Sequence, residues 1–489
     1  MNKYLAIDLG AESGRIMRGS IAEGVFELTE IHRFPTGMLS LHRSYFWNIY
    51  RFYEEILNGF RKYAALNHSM PVSIGVDTWG VDYGLKSKEG KLIGLPHTYR
   101  DKRTESVLAE FNEILTLEKI YDLTGIQMLP FNTLFQLYAE SKINPGIFDK
   151  VSDLLFIPDI LNYFLTGIKK TEFTFATTSQ LLNPFNENWE PLLFNALRID
   201  PGIMQEVNKP CTVLGKLSKE ISENTGLRRI PVISVASHDT ASAIAARPAE
   251  GENWAFMSTG TWALIGFEND RPIINTISRK YNFTNEGGIN GFRVLKNMTG
   301  FWILQKCRSS WGEKEFDYEK LTAMAQTARP FTFYIDPDDP DFLNPTNMIE
   351  SIHFYCKKTN QQMPAEKAEI VRGILESLAL KTRCIIDEAN EIREEPIEKI
   401  YITGGGVHNK LFCQFVANAT GLDVITVLAE GTAAGNVIAQ AIAMGDLQNL
   451  EEGRKLIGNS IKPEVFNPKE IKNWEGAYQK FNSILNKNN

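Results

Sequence analysis

The chain has 489 residues, and its 52 Lys and Arg against 59 Asp and Glu give a formal net charge of −7 at pH 7. Its 43% hydrophobic and 23% charged residues are typical of a globular protein, which excludes a disordered, collagen-like or coiled-coil chain. The negative charge argues against a nucleic-acid binder and favours a small-molecule ligand, and at about 150 residues per domain the length predicts two large domains or three smaller ones.

The first elements predict a layered unit of strands and a helix. Residues 4–9 form a short β-rich run, followed by a polar turn and further runs at 15–21 and 25–29, which together predict an antiparallel meander. Between residues 49 and 63, apolar side chains recur at steps of three and four, which predicts an amphipathic helix. This helix leads into a predicted strand at 72–76.

A second unit of the same kind begins near residue 254. Residues 254–258 predict a strand that runs into a small polar loop, and a second apolar run follows at 263–267. A long helix is predicted at 370–389 and a strand at 399–403, which ends in three glycines. The two halves therefore look like diverged copies of one mixed α/β plan.

A breaker-rich stretch at 247–251 predicts the boundary between these halves. We therefore expect an N-terminal domain of residues 1–246 and a C-terminal domain of residues 247–489.

Cysteine usage and hydropathy predict a cytoplasmic protein without a membrane segment. The five cysteines are scattered and include no Cys-x-x-Cys pair, so we expect reduced core residues rather than disulfides or zinc ligands. The apolar run before Asp8 is too short for a signal peptide, and charged or amide residues interrupt the most lipid-like stretch at 424–444. The sequence does not predict an oligomeric state.

Three glycine-containing loops that follow predicted strands are candidates for binding a phosphate or a nucleoside. The segment from Asp8 to Arg15 combines small residues with a fixed positive charge, although it matches neither the P-loop nor the dinucleotide motif. The loop ending at Thr261 repeats this arrangement, and two such loops facing each other across a cleft would hold a polyphosphate. Residues 404–406 offer a flat backbone surface to a nucleoside, but ordinary tight turns explain the same glycines.

Two further motifs combine carboxylates with groups that suit a polyhydroxylated ligand. A strand at 230–236 turns at once into a helix, which places Asp239 in the first helical turn, either as a capping carboxylate or as a base beside a cleft. Residues 77–82 and 99–101 supply an indole face, carboxylates and an arginine, which suit the apolar and hydroxyl faces of a sugar. A surface turn with a local ion pair is the structural alternative.

Together these motifs resemble the FGGY carbohydrate kinases over nearly the whole chain. Within that family, residues 77–82 (DTWGVD), 237–242 (SHDTAS), 285–288 (NEGG) and 293–297 (RVLKN) are similar to the rhamnulokinase branch. The resemblance implies an α/β fold of two duplicated actin-like, Hsp70-like (ribonuclease H-like) domains around an ATP cleft. It also implies phosphorylation of L-rhamnulose at O1 with ATP and Mg²⁺.

The resemblance implies a role for each matching residue. Asp239 would be the catalytic base, and Asp8 would organise Mg²⁺ through water. The sugar would contact Gly80, His238, Asp239 and Thr240. The ATP phosphates would contact Ala11, Glu12, Ser13, Gly14, Arg15 and Thr261. The rest of the nucleotide would contact Asn297, Gln305 and Gly405. The family usually has Thr at the position of Ala11, so here we expect backbone N–H groups to carry that contact.

Two other functions stay open. One is a sister kinase that acts on L-fuculose or another ketose, and product formation across a panel of ketoses would separate it. The other is a non-catalytic actin-like ATPase or sugar sensor, which needs no carboxylate at position 239. The presence of Asp239 between His238 and Thr240 favours an enzyme.

Overall fold

The computed structural model describes residues 2–66, 69–248 and 251–488. The strands are β1 (Asn2–Leu9), β2 (Ser13–Ala22), β3 (Val25–Pro35), β4 (Leu39–Leu41), β5 (Ser44–Phe46), β6 (Ser73–Thr78), β7 (Tyr83–Ser87), β8 (Val151–Phe156), β9 (Thr171–Glu172), β10 (Leu182–Asn183), β11 (Asn188–Trp189), β12 (Val207–Asn208), β13 (Thr212–Lys216), β14 (Pro231–Ser234), β15 (Trp254–Thr259), β16 (Trp262–Asn269), β17 (Thr284–Gly287), β18 (Phe292–Thr299), β19 (Lys399–Gly404), β20 (Asp423–Thr426) and β21 (Val465–Phe466).

The α-helices are α1 (Ile49–Ala65), α2 (Val107–Asn112), α3 (Leu117–Thr124), α4 (Thr133–Ile143), α5 (Ile157–Thr166), α6 (Phe173–Thr178), α7 (Pro191–Leu197), α8 (Lys219–Thr225), α9 (Asp239–Ala245), α10 (Thr276–Lys280), α11 (Trp302–Trp311), α12 (Tyr318–Thr327), α13 (Met348–Lys358), α14 (Lys367–Asn390), α15 (Lys410–Thr420), α16 (Gly431–Ala443), α17 (Leu450–Ser460) and α18 (Ile471–Asn488). Short 3₁₀ helices lie at Lys102–Thr104, Ile147–Lys150, Pro201–Ile203, Pro340–Phe342 and Gly405–His408.

The first sheet has six strands in the order β13–β14–β6–β1–β2–β3. The predicted antiparallel meander of β1, β2 and β3 is confirmed, and β6 and β14 extend the sheet as parallel strands. The last six residues of β1 are all buried, as expected for a central strand that is covered on both faces. The predicted amphipathic helix is α1, which buries Phe52, Ile56 and Phe60.

The second sheet has seven strands in the order β17–β18–β16–β15–β19–β20–β21. Its strands β15 and β16 are antiparallel, β19 and β20 continue the sheet as parallel strands, and β21 is antiparallel to β20. Apart from β17, this order repeats the first sheet strand for strand, with β15 in the place of β1 and β19 in the place of β6. The predicted duplication of one α/β plan is therefore confirmed.

Packing divides the chain into two compact units that are each discontinuous in sequence. Unit 1 comprises Met1–Pro248, Glu268–Val294 and Glu430–Ser460, and unit 2 comprises Ala249–Phe267, Leu295–Ala429 and Ile461–Asn489. The predicted domains of residues 1–246 and 247–489 stay a prediction. Residues 249 and 250 of the predicted boundary stretch lie outside the described residues.

Helix α16 packs its polar residues into unit 1. Gln440 donates to the carbonyl of Leu5 (3.1 Å) and accepts a hydrogen bond from Ser73 Oγ (2.8 Å), and Asn436 donates to Asp77 Oδ2 (2.5 Å). The amide residues that interrupt the lipid-like stretch are thus hydrogen-bonding partners of the first sheet. Within the described ranges, no helix is long and apolar enough to cross a membrane.

All five cysteines are free, and four of them are buried. The expectation of core cysteines is met by the four buried ones, and their reduced state stays a prediction.

Candidate active site

Two carboxylates lie side by side at the ends of the central strands of unit 1. Asp8 of β1 is paired in register with Asp77 of β6. Burial raises the pKa of Asp8 to about 6; the Arg15 charge opposes this rise, and the Asp239 charge adds to it. Burial also raises the pKa of Asp77 well above its ordinary value, and the negative charge of Asp8 adds to that rise. Asp8, Asp77 and Asp239 therefore form one electrostatic cluster.

This cluster has donor atoms that suit Mg²⁺. Asp77 Oδ1 is buried without a hydrogen-bond partner, although its Oδ2 accepts from Asn436. Proteins usually hold Mg²⁺ by one or two carboxylates together with substrate phosphates. Among the residues that the structure describes, no group of three or more His, Cys, Asp or Glu has the arrangement of a metal site. Asp8 and Asp77 thus fit a cation that arrives with a nucleotide.

Arg15 of the first loop is held between two carboxylates. Its Nη2 lies 3.0 Å from Asp8 Oδ2, and its Nη1 contacts Glu430 Oε2. The positive charge of Arg15, which the sequence predicts as a phosphate contact, is therefore neutralised within unit 1 by Asp8 and Glu430. Glu430 immediately precedes α16 and was not among the predicted site residues.

The first loop itself is a hairpin turn between β1 and β2. Ala11 and Glu12 form the turn, Ser13 and Gly14 begin β2, and the Gly10 N–H donates to the Ser13 carbonyl (3.0 Å). Its geometry is thus that of a glycine-containing hairpin turn. Contact with phosphates stays a prediction.

Asp239 is the most accessible carboxylate of the cluster. Its side chain is 30% exposed, whereas that of Asp8 is 4% exposed. It is the first residue of α9, as predicted, and its Oδ1 accepts a hydrogen bond from Thr240 Oγ1 (3.1 Å) and lies 3.4 Å from His238 Nε2. A partly exposed carboxylate beside two polar side chains is suited to accept a proton from a ligand hydroxyl.

Glu172 holds the loop that carries Asp239. Its fully buried carboxylate accepts hydrogen bonds from Ser237 N (2.9 Å) and Ser237 Oγ (2.7 Å), as well as from Thr174 N (2.8 Å) at the start of α6. His238 N also donates to Thr174 Oγ1 (3.2 Å). The sequence analysis missed Glu172, although an acidic residue directly before a helical segment is a recognisable capping signal.

The predicted sugar contacts lie together in unit 1. A Cβ atom at Gly80 would lie 3.4 Å from His238 Nε2 and 3.2 Å from Thr178 Oγ1. The next residue, Val81, has a φ of 67°, an unfavourable value for a β-branched residue, and it is held by a hydrogen bond from its N–H to Thr178 Oγ1 (3.2 Å). The structure thus brings Gly80 close to His238, while their contact with a sugar stays a prediction.

Adding a methyl group at position 80 should weaken sugar binding. In Gly80→Ala the new Cβ would occupy space next to His238 Nε2, and we expect the sugar KM to rise about tenfold, since displacing the sugar from one polar contact costs about 1.4 kcal/mol of binding free energy. The KM for ATP should stay unchanged. Gly37→Ala is the matched control, because nothing lies within 4 Å of a Cβ at that glycine. Equal sugar KM values for the two variants would contradict the assignment.

Asp82 has a role inside the fold that the sequence did not predict. Its carboxylate is fully buried and accepts hydrogen bonds from Trp47 Nε1 (2.6 Å), Trp79 Nε1 (3.0 Å), Gln136 Nε2 (2.9 Å) and Tyr99 N (3.1 Å). Three of these donors bind Oδ2 and one binds Oδ1, so the structure gives this carboxylate an internal hydrogen-bonding role, and its contact with sugar hydroxyls stays a prediction. Asp82 fixes the indole of Trp79 beside Gly80.

The ionisation of Asp82 should make the free energy of unfolding depend on pH. Burial raises its pKa to about 6, against the lowering effect of the hydrogen bonds from Trp47, Gln136 and Trp79. Because an unfolded aspartate titrates near pH 4, the folded state keeps the proton between about pH 4 and 6, and ionisation there lowers stability. Relative to Asp82→Asn, the wild-type free energy of unfolding should fall by about 2 kcal/mol from pH 4 to pH 7. Urea unfolding of both proteins across this pH range measures their free energies of unfolding. A difference between the two proteins that does not change with pH would contradict the prediction.

Unit 2 holds Thr261 and the three residues predicted to contact the nucleotide beyond its phosphates. Thr261 lies in the loop between β15 and β16, where its carbonyl accepts from Gly300 N (3.0 Å) and its Oγ1 donates to Gln305 Oε1 (3.4 Å). Asn297 lies on β18. Gly405 follows β19 at an exposed position, and nothing lies within 4 Å of a Cβ there.

The glycines on either side of Gly405 are required by close packing. Gly404 has a φ of 82°, and a Cβ there would lie 2.3 Å from the Thr259 carbonyl oxygen. Gly406 N donates to Thr259 Oγ1 (3.0 Å). The loop after β19 thus lies directly against the end of β15. Binding of a nucleotide at these residues stays a prediction.

Sequence comparison finds one family along both halves of the chain. Residues 4–245 match the N-terminal domain, and residues 255–444 the C-terminal domain, of the FGGY family of carbohydrate kinases. Similar relatives include the rhamnulokinase of Bacteroides thetaiotaomicron, 40% identical over 99% of this chain and 99% of its own length. The rhamnulokinase of Bacillus subtilis is 38% identical over 96% of both chains.

Solved structures share the fold. The xylulose kinase of Lactobacillus acidophilus has a TM-score of 0.83 at 16% identity, covering 99% of this chain and 98% of its own. The Plasmodium falciparum glycerol kinase with ADP has a TM-score of 0.79 at 16% identity, covering 100% of this chain and 98% of its own. The two-domain α/β fold predicted from the sequence is thereby confirmed.

Proposed function

The chain belongs to the FGGY family of carbohydrate kinases and is a sugar kinase that uses ATP, and from this premise we propose that its substrate is L-rhamnulose. The reaction would transfer the γ-phosphoryl group to O1, giving L-rhamnulose 1-phosphate and ADP in rhamnose catabolism. Relatives that share 36–40% identity over 94–100% of this chain and carry the name rhamnulokinase support this substrate. The observation that carries the proposal is the partly exposed Asp239 carboxylate between His238 and Thr240.

In this proposal the residues of unit 1 bind the sugar and move its proton. Asp239 accepts the proton of the attacking hydroxyl, while Gly80, His238 and Thr240 hold the sugar. Phosphoryl transfer proceeds through a loose transition state, so positioning and charge neutralisation supply most of the rate. When bound, Mg²⁺ would neutralise phosphate charge, and Asp8 and Asp77 would hold it.

The nucleotide contacts in this proposal are taken residue by residue from the family resemblance. Backbone N–H groups of residues 11–15 contact the phosphates, as does Thr261. The remainder of the nucleotide contacts Asn297, Gln305 and Gly405 of unit 2. Arg15 stays an ion-pair partner of Asp8 and Glu430 until a phosphate competes for it.

We also propose that the enzyme works in the cytoplasm with small molecules as its only ligands. The free cysteines suit a reducing compartment. The net charge of −7 gives no support for a nucleic-acid partner.

A ketose panel tests the substrate. With ATP and Mg²⁺ in excess, we expect kcat/KM for L-rhamnulose to exceed that for L-fuculose, L-ribulose and D-xylulose by about tenfold or more, since a misplaced hydroxyl leaves polar groups of the site unpaired. A higher kcat/KM for L-fuculose would identify a sister ketose kinase. ATP turnover without any sugar phosphate would contradict the proposed function and favour an actin-like ATPase.

A further inference from the structure

Helix α6 is a short helix that is rich in threonine. Its six residues, Phe173–Thr178, are all buried, and three of them are threonines. Each of these threonines accepts a hydrogen bond from a backbone N–H of a segment that is distant in sequence: Thr174 from His238 (3.2 Å), Thr177 from Gly287 (2.8 Å) and Thr178 from Val81 (3.2 Å). One buried helix of unit 1 therefore holds three separate segments of the same unit.

The hydroxyl protons of these threonines are already used at the helix itself. Thr174 Oγ1 donates to the Glu172 carboxylate (2.5 Å), Thr177 Oγ1 to the Thr174 carbonyl (2.9 Å) and Thr178 Oγ1 to the Phe175 carbonyl (2.9 Å). A hydroxyl has one hydrogen and two lone pairs. Each oxygen therefore offers only lone pairs to the surrounding segments, and a backbone N–H is the group that such an oxygen binds.

Two of the three segments carry the predicted sugar contacts. Thr174, near the start of α6, binds the loop of His238 and Asp239, whereas Thr178, at the end of α6, binds the residue that follows Gly80. A Cβ at Gly80 would lie 3.2 Å from Thr178 Oγ1 and 3.4 Å from His238 Nε2. The helix thus contacts the predicted sugar site from both of its sides.

The backbone after Gly80 needs this support. The Asp82 N–H donates to the Gly80 carbonyl (2.9 Å), which closes a three-residue γ-turn, and the central residue Val81 has a φ of 67°. A γ-turn with a positive φ at its centre is the rare, strained form, and such strain persists only where surrounding contacts hold the backbone. The Val81 carbonyl accepts from Thr133 Oγ1 (2.6 Å), and the Val81 N–H donates to Thr178. Without the Thr178 hydroxyl, the turn should relax and Gly80 should move.

We propose that Thr174 and Thr178 are positioning residues of the sugar site. Thr174 fixes the loop of His238 and Asp239, Thr178 fixes the strained turn after Gly80, and the helix between them sets the distance between these two parts of the site. This inference rests on the proposed function, because it takes Gly80 and His238 as sugar contacts.

The first test is steady-state kinetics on variants of the full chain. Thr178→Val has nearly the same shape but cannot accept from the Val81 N–H, so we expect the sugar KM to rise about tenfold, with kcat and the KM for ATP within about threefold of the wild type. Thr174→Val releases the loop that carries Asp239, so we expect kcat to fall about tenfold. Thr178→Ser and Thr174→Ser keep the hydroxyl and should stay within about threefold of the wild type.

Thr225→Val is the matched control for a general loss of stability. Like Thr178, Thr225 is a buried threonine at the last position of a short helix, α8. Its hydroxyl donates to the Ile221 carbonyl (2.7 Å) and accepts from the Leu227 N–H (3.4 Å), so the substitution removes the same two kinds of hydrogen bond. Neither partner is a predicted sugar contact. The kinetic constants of Thr225→Val should equal those of the wild type.

Amide hydrogen exchange tests the two contacts without any substrate. In Thr178→Val, exchange at the Val81 amide should accelerate about tenfold or more, while exchange at the His238 amide stays unchanged. Thr174→Val should show the reverse pattern. Thr225→Val should change neither amide.

The two hypotheses fail in different measurements. Equal sugar KM values for Thr178→Val and Thr225→Val would overturn the positioning role, as would unchanged exchange at Val81 in Thr178→Val or a KM rise of the same size in Thr178→Ser. Absence of turnover with every ketose in the wild type would instead contradict the proposed function.

Discussion

Replacing Asp239 with Asn should lower kcat by about 10²- to 10⁴-fold, the range for loss of a general base. Asn has nearly the same shape and keeps an oxygen that can accept from Thr240 Oγ1, but it cannot take up the proton of the sugar hydroxyl. Because the change affects proton transfer rather than packing, the affinities for sugar and ATP should stay within about threefold of the wild type.

Initial rates of ADP formation at saturating substrates measure this effect, and calorimetric titration measures binding separately. Asp200→Asn serves as the matched control, since Asp200 is an exposed carboxylate that caps the 3₁₀ helix Pro201–Ile203. Its kcat should equal that of the wild type. If Asp239→Asn turned over at a near-normal rate, Asp239 would have no place in the mechanism.

Gly435→Ala should destabilise unit 1 by about 3 kcal/mol or more, the upper part of the range for overpacking. A Cβ at this glycine of α16 would lie 1.7 Å from the carbonyl oxygen of Ser242 and 2.5 Å from its carbon. Both are backbone atoms of α9, so the clash cannot be relieved by a rotamer change. Helix α9, which begins at Asp239, would have to shift, and activity should fall together with stability.

Urea unfolding followed by tryptophan fluorescence measures the change. Gly476→Ala in α18 is the control, because nothing lies within 4 Å of a Cβ there. Alanine stabilises a helix by up to about 1 kcal/mol relative to glycine, so this variant should be slightly more stable than the wild type. If both variants unfolded at the same urea concentration, the close approach of α9 and α16 would not exist in solution.

Local patterns were sufficient to predict the elements that carry the fold. The strands near residues 4, 254 and 399 and the helices α1 and α14 follow from hydrophobic periodicity, which is set by neighbours within a few residues. The position of Asp239 in the first turn of α9 was predicted for the same reason. Repetition of one strand-and-loop pattern in both halves then indicated duplication.

The partners of the site residues were not predictable, because they come from distant parts of the chain. Ser237 is held by Glu172, 65 positions away, and Asp77 by Asn436, 359 positions away. Asp82 was assigned to the sugar because its neighbours in sequence suggested a ligand site. Its hydrogen bonds in the fold come from Trp47 and Gln136, which only the tertiary structure brings to it.

The most direct test of phosphoryl transfer to O1 is the proton-coupled ³¹P NMR spectrum of L-rhamnulose incubated with ATP, Mg²⁺ and the purified enzyme. We expect a new phosphate monoester signal, split into a triplet by the two protons on C1, which grows in step with ADP and grows about 10²- to 10⁴-fold more slowly with Asp239→Asn. A doublet from another carbon, or inorganic phosphate as the sole new signal, would contradict it.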